Sequence, residues 1–148
     1  MKEHLRRFAE AFGVRGMTFP DRMPNTRRAL AASEWARDGG RLEPFRDAVM
    51  RAHWEQGKDI EDGEVLAACA ARAGLDPDGA RAAAGDPRFQ ERVAAMGAEA
   101  GRAGVSGIPT FVAGAHRVVG CQPYEEIAAA VAAAGARRRP ATAAERPG

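Results

Sequence analysis

The chain has 148 residues, of which 45% are hydrophobic and 28% are charged, as in an ordinary globular protein. Lys and Arg total 22 and Asp and Glu total 20, so the formal net charge of +2 gives no basis for a nucleic-acid partner. No run approaches the roughly 20 apolar residues that a membrane-spanning helix needs, which gives no basis for a membrane partner either.

Helical patterns fill the first half of the chain. A helix and a loop are predicted for residues 1–24. Charged residues occur throughout this helix, whereas a secretory signal has a continuous apolar segment, so we predict a cytoplasmic location. Asn25 is predicted to cap the second helix, and Pro44 suits the first turn of the third. Met50 and Trp54 give that third helix a second apolar strip, which is typical of burial between two layers or at a subunit interface.

Aspartates mark the next three helix starts. Asp59 or Asp62 is predicted to begin the fourth helix. The pairs Asp76-Pro77 and Asp86-Pro87 each combine a capping side chain with a first-turn proline. The last of these helices is long and is predicted to end at Gly104, with Phe89, Met96 and other apolar residues on one face.

The pattern changes to a β-hairpin after this helix. Residues 110–113 and 116–119 are short β-capable runs around a Gly-Ala pair. Pro123 is then predicted to open a final helix with Tyr124 on its inward face. The predicted fold class is therefore mostly α, within the α+β class.

The two cysteines do not form a recognisable reactive or metal-binding motif. Cys69 and Cys121 are far apart and form no C-x-x-C, and the histidines are scattered, so we predict no metal site and no cofactor. Cys69 is predicted to be a core residue, and His53 a packed or surface residue. Cys121 precedes a helix start, where the helix dipole favours a thiolate, and it is the candidate catalytic residue. The alternatives are a small semi-buried residue or a pair with His116.

A proline motif and its surroundings resemble a known family. The order of a long helix, G-[VI]-P-[TF]-F, a hairpin, G-x-Q-P and a helix resembles the C-terminal part of the DsbA family, most of all its FrnE-like branch. The resemblance extends from the first helix to about Val131. The segments that carry it are Asn25-Thr26, Phe45 through Trp54, Asp59-Ile60, Val65-Leu66, Gly74-Leu75-Asp76, Gly104 through Phe111 and Gly120-Cys121-Gln122-Pro123.

The resemblance implies a domain organisation. In the family, a β-α-β unit with C-x-x-C comes first, a helical insertion follows, and a β-β-α unit closes a thioredoxin-like fold. Here Met1 falls near the helix before the insertion, so we expect an N-terminally truncated form without the C-x-x-C unit. The expected parts are a connecting helix and loop (1–24), the helical insertion (25–104), the closing ββα unit (105–134) and a disordered tail (135–148).

The resemblance also implies a binding site. The Ile108–Pro109 bond is expected to be cis, and its turn to face the dithiol in complete family members. The implied substrate-binding residues are Gly107, Ile108 and Pro109, with the Ile108 backbone pairing with an extended segment of a protein or peptide thiol or disulfide substrate.

Three functions remain open on the sequence. The chain is a truncated thiol–disulfide oxidoreductase that is inactive alone in dithiol exchange, or a non-catalytic protein that binds peptides or dimerises through the proline loop. The third alternative is a small helical interaction protein in which the loop is only structural. Because a lone hairpin leaves an unpaired strand edge, we also expect a homodimer.

Overall fold

The computed structural model describes residues 2–11, 13–14, 16–18 and 22–137, and for residues 2, 4 and 8 it describes the backbone only. Within these ranges the chain is mostly helical with one small antiparallel sheet, which confirms the predicted fold class. The elements are α1 (Lys2–Ala11), α2 (Arg27–Asp38), α3 (Leu42–Trp54), α4 (Gly63–Arg72), α5 (Pro77–Gly85), α6 (Pro87–Arg102), β1 (Thr110–Ala113), β2 (His116–Val119) and α7 (Tyr124–Ala133). From residue 138 onward, the predicted tail lies outside the described residues.

The chain divides into two compact units. Residues 1–98 form the helical unit and residues 99–148 form the hairpin unit. The division falls inside α6, whereas the sequence pattern places it at residue 104, where that helix ends. A continuous helix therefore supplies its first turns to one unit and its last turn to the other.

The core of the helical unit is built mainly from alanine. Phe45 and Leu66 are its largest fully buried side chains. Around them α2 packs against α5, and α4 packs against both α3 and α5. Alanine methyl groups fill most of the remaining core positions, at residues Ala29, Ala32, Ala36, Ala48, Ala52, Ala70, Ala73, Ala80 and Ala84. Because interiors are close-packed, small side chains let these helices approach closely and leave little room for larger ones.

Aspartate side chains begin two of these helices. Asp62 accepts a hydrogen bond from the Glu64 N–H at 2.9 Å, and it is the N-cap of α4. Asp76 accepts from two N–H groups in the first turn of α5, at 3.2 Å and 3.0 Å. Both side chains satisfy donors that a helix start leaves without an intrahelical partner.

The start of α2 differs from the prediction by one residue. Its N-cap is Thr26, whose side chain makes no capping bond. The Asn25 side chain accepts from the Arg27 N–H at 3.0 Å, while the Asn25 N–H donates to Glu61 at 2.7 Å. Asn25 therefore lies outside the helix and still satisfies one first-turn donor.

An aromatic ring and an arginine fix the first turns of α6 to the rest of the helical unit. Phe89 is buried with Ala31 and Ala83. The Arg92 guanidinium lies 5.3 Å from the centre of that ring and donates to both Asp38 carboxylate oxygens, at 2.8 Å and 3.2 Å. These hydrogen bonds hold the pKa of the Asp38 carboxyl below its ordinary value.

The hairpin unit is a two-stranded sheet with one helix packed on it. Thr110 lies opposite Val119 at one end of the hairpin, and Ala113 lies opposite His116 at the other. Gly114 has a φ of +58°, which suits the first residue of a tight two-residue hairpin loop. Helix α7 packs on this hairpin, mainly against β2.

Tyr124, which the sequence predicts on the inward face of the last helix, lies on the surface, and so does Met96 from the predicted apolar face of α6. Met96 on α6 and Tyr124 on α7 are exposed, Tyr124 by 69%. Periodicity identifies an apolar face but not the element that covers it.

A glycine in α5 provides a test of the close packing. A Cβ on Gly79 would lie 2.6 Å from Cζ2 of Trp35, a ring packed against the core. We expect Gly79→Ala to destabilise the chain by about 1–3 kcal/mol, because the ring must shift to admit the methyl group. Urea unfolding followed by circular dichroism measures this change.

The matched control is Gly97→Ala in α6, where nothing lies within 4 Å of an added Cβ. Here the gain in helix propensity, up to about 1 kcal/mol, is unopposed, so we expect no loss of stability. If Gly79→Ala and Gly97→Ala changed the free energy of unfolding equally, the tight contact between Gly79 and Trp35 would be contradicted.

Candidate functional site

The segment between α6 and β1 forms a tight turn, which we call the prolyl turn (residues 107–110). Its Ile108–Pro109 peptide bond is cis. The turn leads directly into the hairpin, so its position is set by the start of β1. The sequence-predicted residues Gly107, Ile108 and Pro109 are therefore contiguous at one end of the sheet.

Two hydrogen bonds hold the prolyl turn. The Thr110 hydroxyl donates to the Gly107 carbonyl at 2.6 Å, which closes the turn on itself. The Gly120 N–H donates to the Pro109 carbonyl at 2.8 Å, which continues the sheet pairing past β2. A Cβ on Gly107 would lie 3.1 Å from Cγ1 of Val119, so the turn lies close to the end of β2.

Ile108 is the exposed point of the turn. The residue is 91% exposed. Within the described residues, neither its N–H nor its C=O takes part in a hydrogen bond. A residue that presents both backbone groups beside a sheet can pair with an added extended peptide.

Cys121 lies directly after the residue that binds Pro109. Gly120 has a φ of +84°, and the Gln122 side chain donates to the Val119 carbonyl at 3.0 Å, so the chain bends here before α7. The Cys121 thiol is free and exposed. In the part of the chain that the structure describes, no hydrogen bond joins it to His116, so the alternative of a Cys–His pair has no support.

Cys69 is a core thiol, as the sequence indicates. It is free and buried with Leu66 and Ala73 in the helical core. Burial raises the pKa of this thiol, and the positive charges of Lys58 and Arg72 oppose that shift only in part. The thiolate of Cys69 is therefore disfavoured.

His53 is a buried polar residue whose environment the sequence leaves undefined. Its ring packs edge-on against Trp54, with ring centres 4.5 Å apart, and its Nδ1 is buried without a hydrogen-bond partner. The side chain borders a cavity of about 180 Å³ that Arg22 and Lys58 also line. Among the described residues, no three His, Cys, Asp or Glu side chains cluster so as to hold a metal ion.

Comparison with protein families gives a match over most of the chain. The model of the DSBA-like thioredoxin domain matches residues 1–132. The chain belongs to the DsbA-like thioredoxin family. This membership agrees with the resemblance carried by the prolyl turn and its downstream Gln-Pro.

A solved structure is similar to this DsbA-like chain. It is the crystal structure of a protein described as a probable DsbA oxidoreductase from Streptomyces coelicolor, with a TM-score of 0.77 and 31% sequence identity. The similarity covers 95% of this chain and 61% of that one, so the chain spans about three-fifths of that protein's length. No curated protein sequence gives a match.

The family membership does not fix where the protein acts. Among the described residues, every helix is too short or too polar to cross a bilayer. The cytoplasmic location stays a prediction.

The two thiols provide a test of the site geometry. We expect iodoacetamide to alkylate Cys121 in the native protein and to modify Cys69 at least roughly tenfold more slowly, because burial disfavours the Cys69 thiolate. Mass spectrometry of tryptic peptides at successive times measures both rates.

Cys121→Ser should remove the fast reaction and Cys69→Ser should leave it unchanged. In guanidinium, both cysteines of the wild-type chain should react at similar rates. Fast native labelling of Cys69 would show that the helical core opens readily and would contradict its assignment as a buried residue.

Proposed function

We propose that this DsbA-like chain binds the substrate peptide in thiol–disulfide exchange. The observation that carries the proposal is the prolyl turn, where the Ile108 N–H and C=O bond to none of the described residues and lie next to a sheet. Extended peptides bind such positions through main-chain hydrogen bonds, which recognise many sequences. The substrates are protein or peptide thiols and disulfides, in keeping with the family.

Dithiol chemistry needs groups that these residues lack. Exchange requires an attacking thiolate and a resolving thiol within bonding reach. The 148 residues contain two cysteines and no C-x-x-C. We therefore infer that this chain alone does not catalyse dithiol exchange and that another polypeptide segment supplies the dithiol, as the resemblance to the FrnE-like branch implies.

Cys121 is the candidate for any reaction that this chain performs by itself. Its exposed thiol lies one residue from Gly120, whose N–H binds the Pro109 carbonyl. The Cys121 thiolate would attack one sulfur of a substrate disulfide. A protein–substrate disulfide would form, and the second substrate sulfur would leave as a thiolate.

Ile108 tests the peptide-binding role. Ile108→Pro removes the backbone N–H and should weaken binding roughly threefold to tenfold, as expected for about one lost hydrogen bond. Ile108→Ala keeps the N–H and should have a smaller effect. The probe is a fluorescein-labelled octapeptide with blocked ends and one S-methylcysteine, followed by fluorescence anisotropy.

The S-methyl group prevents disulfide formation, so the titration reports non-covalent binding alone. Circular dichroism of both variants checks that the fold is intact. Equal affinities of wild type and Ile108→Pro would exclude main-chain pairing at Ile108. No binding by the wild-type chain would exclude the proposed function.

A second candidate function is self-association through the hairpin. The outer edges of β1 and β2 pair with no strand among the described residues. Ile108, Val112 and Tyr124 are each more than half exposed. Unpaired edges with apolar side chains favour pairing with another chain, so a homodimer is the alternative that these residues support.

Val112 tests self-association. We expect the wild-type chain to dimerise at micromolar concentration, and Val112→Thr to weaken the dimer roughly tenfold, because it replaces an exposed methyl group by a hydroxyl while keeping a β-branched side chain. Sedimentation velocity measures the distribution of monomer and dimer. The control is Leu30→Gln, which removes an exposed apolar side chain from the helical unit. A monomeric wild-type chain would exclude this function.

A further inference from the structure

Arg117 makes a contact that has no role so far in the fold or in the proposed chemistry. This residue lies on β2, opposite Val112. Its guanidinium donates to the Ala103 carbonyl at 2.5 Å and to the Gly104 carbonyl at 3.1 Å. Both acceptors lie at the C-terminal end of α6, in the segment that leads to the prolyl turn.

The end of α6 is closed by its own backbone before Arg117 acts. The Gly104 N–H donates to the Gly101 carbonyl and the Val105 N–H donates to the Ala100 carbonyl, both at 2.9 Å. With Gly104 at a φ of +71°, this is the Schellman pattern of helix ends. The pattern satisfies carbonyls inside the helix and leaves those of Ala103 and Gly104 available.

Arg117 fits this helix end closely. A Cβ on Gly104 would lie 2.9 Å from Nη1 of Arg117, so the guanidinium packs closely against this glycine, whose positive φ suits the backbone conformation. A planar guanidinium can donate to two carbonyls at once, and a cation at a helix C-terminus also interacts favourably with the helix dipole. Hydrogen bonds from a charged donor are stronger than neutral ones.

The contact fixes one end of a short connection. The prolyl turn is separated from Gly104 by only two residues. At its other end, the Gly120 N–H holds the Pro109 carbonyl. Arg117 and Gly120 both belong to the β2 side of the hairpin, so the same side holds the turn at its entrance and at its exit.

We infer that Arg117 is a positioning residue for the prolyl turn. It holds the end of α6 against β2 and thereby sets where Ile108 presents its backbone groups. This inference rests on the proposed peptide-binding function. Among the described residues Arg117 makes no hydrogen bond to Ile108, so its effect is transmitted through Ala103 and Gly104.

The test compares Arg117→Met and Arg117→Lys with a matched control, Arg102→Met. Arg102 lies in the last turn of the same helix and makes no hydrogen bond to a carbonyl within the described residues. Its loss removes the same charge near the helix end without removing the contact with β2. The readouts are amide hydrogen exchange by NMR and affinity for the S-methylcysteine octapeptide.

Exchange of the Gly120 amide reports the turn directly, because this N–H binds the Pro109 carbonyl. We expect Arg117→Met to speed Gly120 exchange roughly tenfold and to weaken peptide binding about fivefold, the effect of about 1 kcal/mol. Arg117→Lys should be intermediate, since it keeps the charge but not the two-carbonyl fork. Exchange at Val118, opposite Phe111 inside the hairpin, should not change.

Three results would overturn the inference. The first is an unchanged rate of Gly120 exchange in both Arg117 variants. The second is an equal rise in the exchange rates of Gly120 and Val118, because Arg117 would then only hold the hairpin together, and the third is an equal effect of Arg102→Met on Gly120 exchange. If Arg117→Met fails to fold, Arg117→Lys decides the question through the same comparison of Gly120 with Val118. If the wild-type chain does not bind the peptide, the proposed function fails, while Gly120 exchange still decides the role of Arg117.

Discussion

The hydrogen bond from the Gly120 N–H to the Pro109 carbonyl fixes the point at which the sheet ends and the prolyl turn begins. Proline has no N–H, so the pairing at this position consists of one bond instead of two. The chain before Pro109 is then free to turn away from the sheet. In the described part of the chain, this geometry leaves the Ile108 backbone groups unpaired beside an ordered hairpin, and the proposed function depends on that combination.

The two compact units differ in how they are stabilised. The helical unit has a continuous buried core with Phe45 and Leu66 at its centre. In the hairpin unit, no residue among 99–137 is fully buried. A hairpin with one helix has little apolar surface to remove from water, and its order depends on hydrogen bonds such as those of Thr110 and Arg117. This difference supports the proposal that the hairpin unit binds a peptide, another polypeptide segment or a second copy of the chain.

The sequence predicts the helices and strands better than it predicts which of their side chains are buried or in contact. The strands, the Asp62 and Asp76 caps and the core position of Cys69 follow from local patterns that do not depend on distant residues. Met96 has the spacing of an apolar helix face and Tyr124 that of an inward face, yet both are exposed, because periodicity does not say whether a second surface covers the face. Side-chain contacts over long separations, such as Arg92 with Asp38, leave no local signal.

The same distinction applies to the candidate site. The G-I-P-T motif predicts the turn, since proline and glycine restrict the backbone locally. Nothing in the sequence near Arg117 indicates that its guanidinium reaches the end of α6, because exposed strand arginines usually point to solvent. That contact depends on where β2 lies relative to the end of α6, which no local pattern in the sequence encodes. The sequence also does not predict that the His53 Nδ1 is buried without a partner among the described residues, since a histidine on a helix fits either a core or a surface position.

The alanine-rich core also affects how the protein responds to temperature. The heat capacity of unfolding grows with the apolar area that becomes exposed, and a methyl group contributes less area than a leucine or phenylalanine side chain. A helical unit packed through Ala32, Ala36, Ala70 and Ala84 therefore has a smaller heat-capacity change than one of equal length with larger core residues. Its free energy of unfolding varies less steeply between cold and warm conditions, which gives a broad and shallow stability curve.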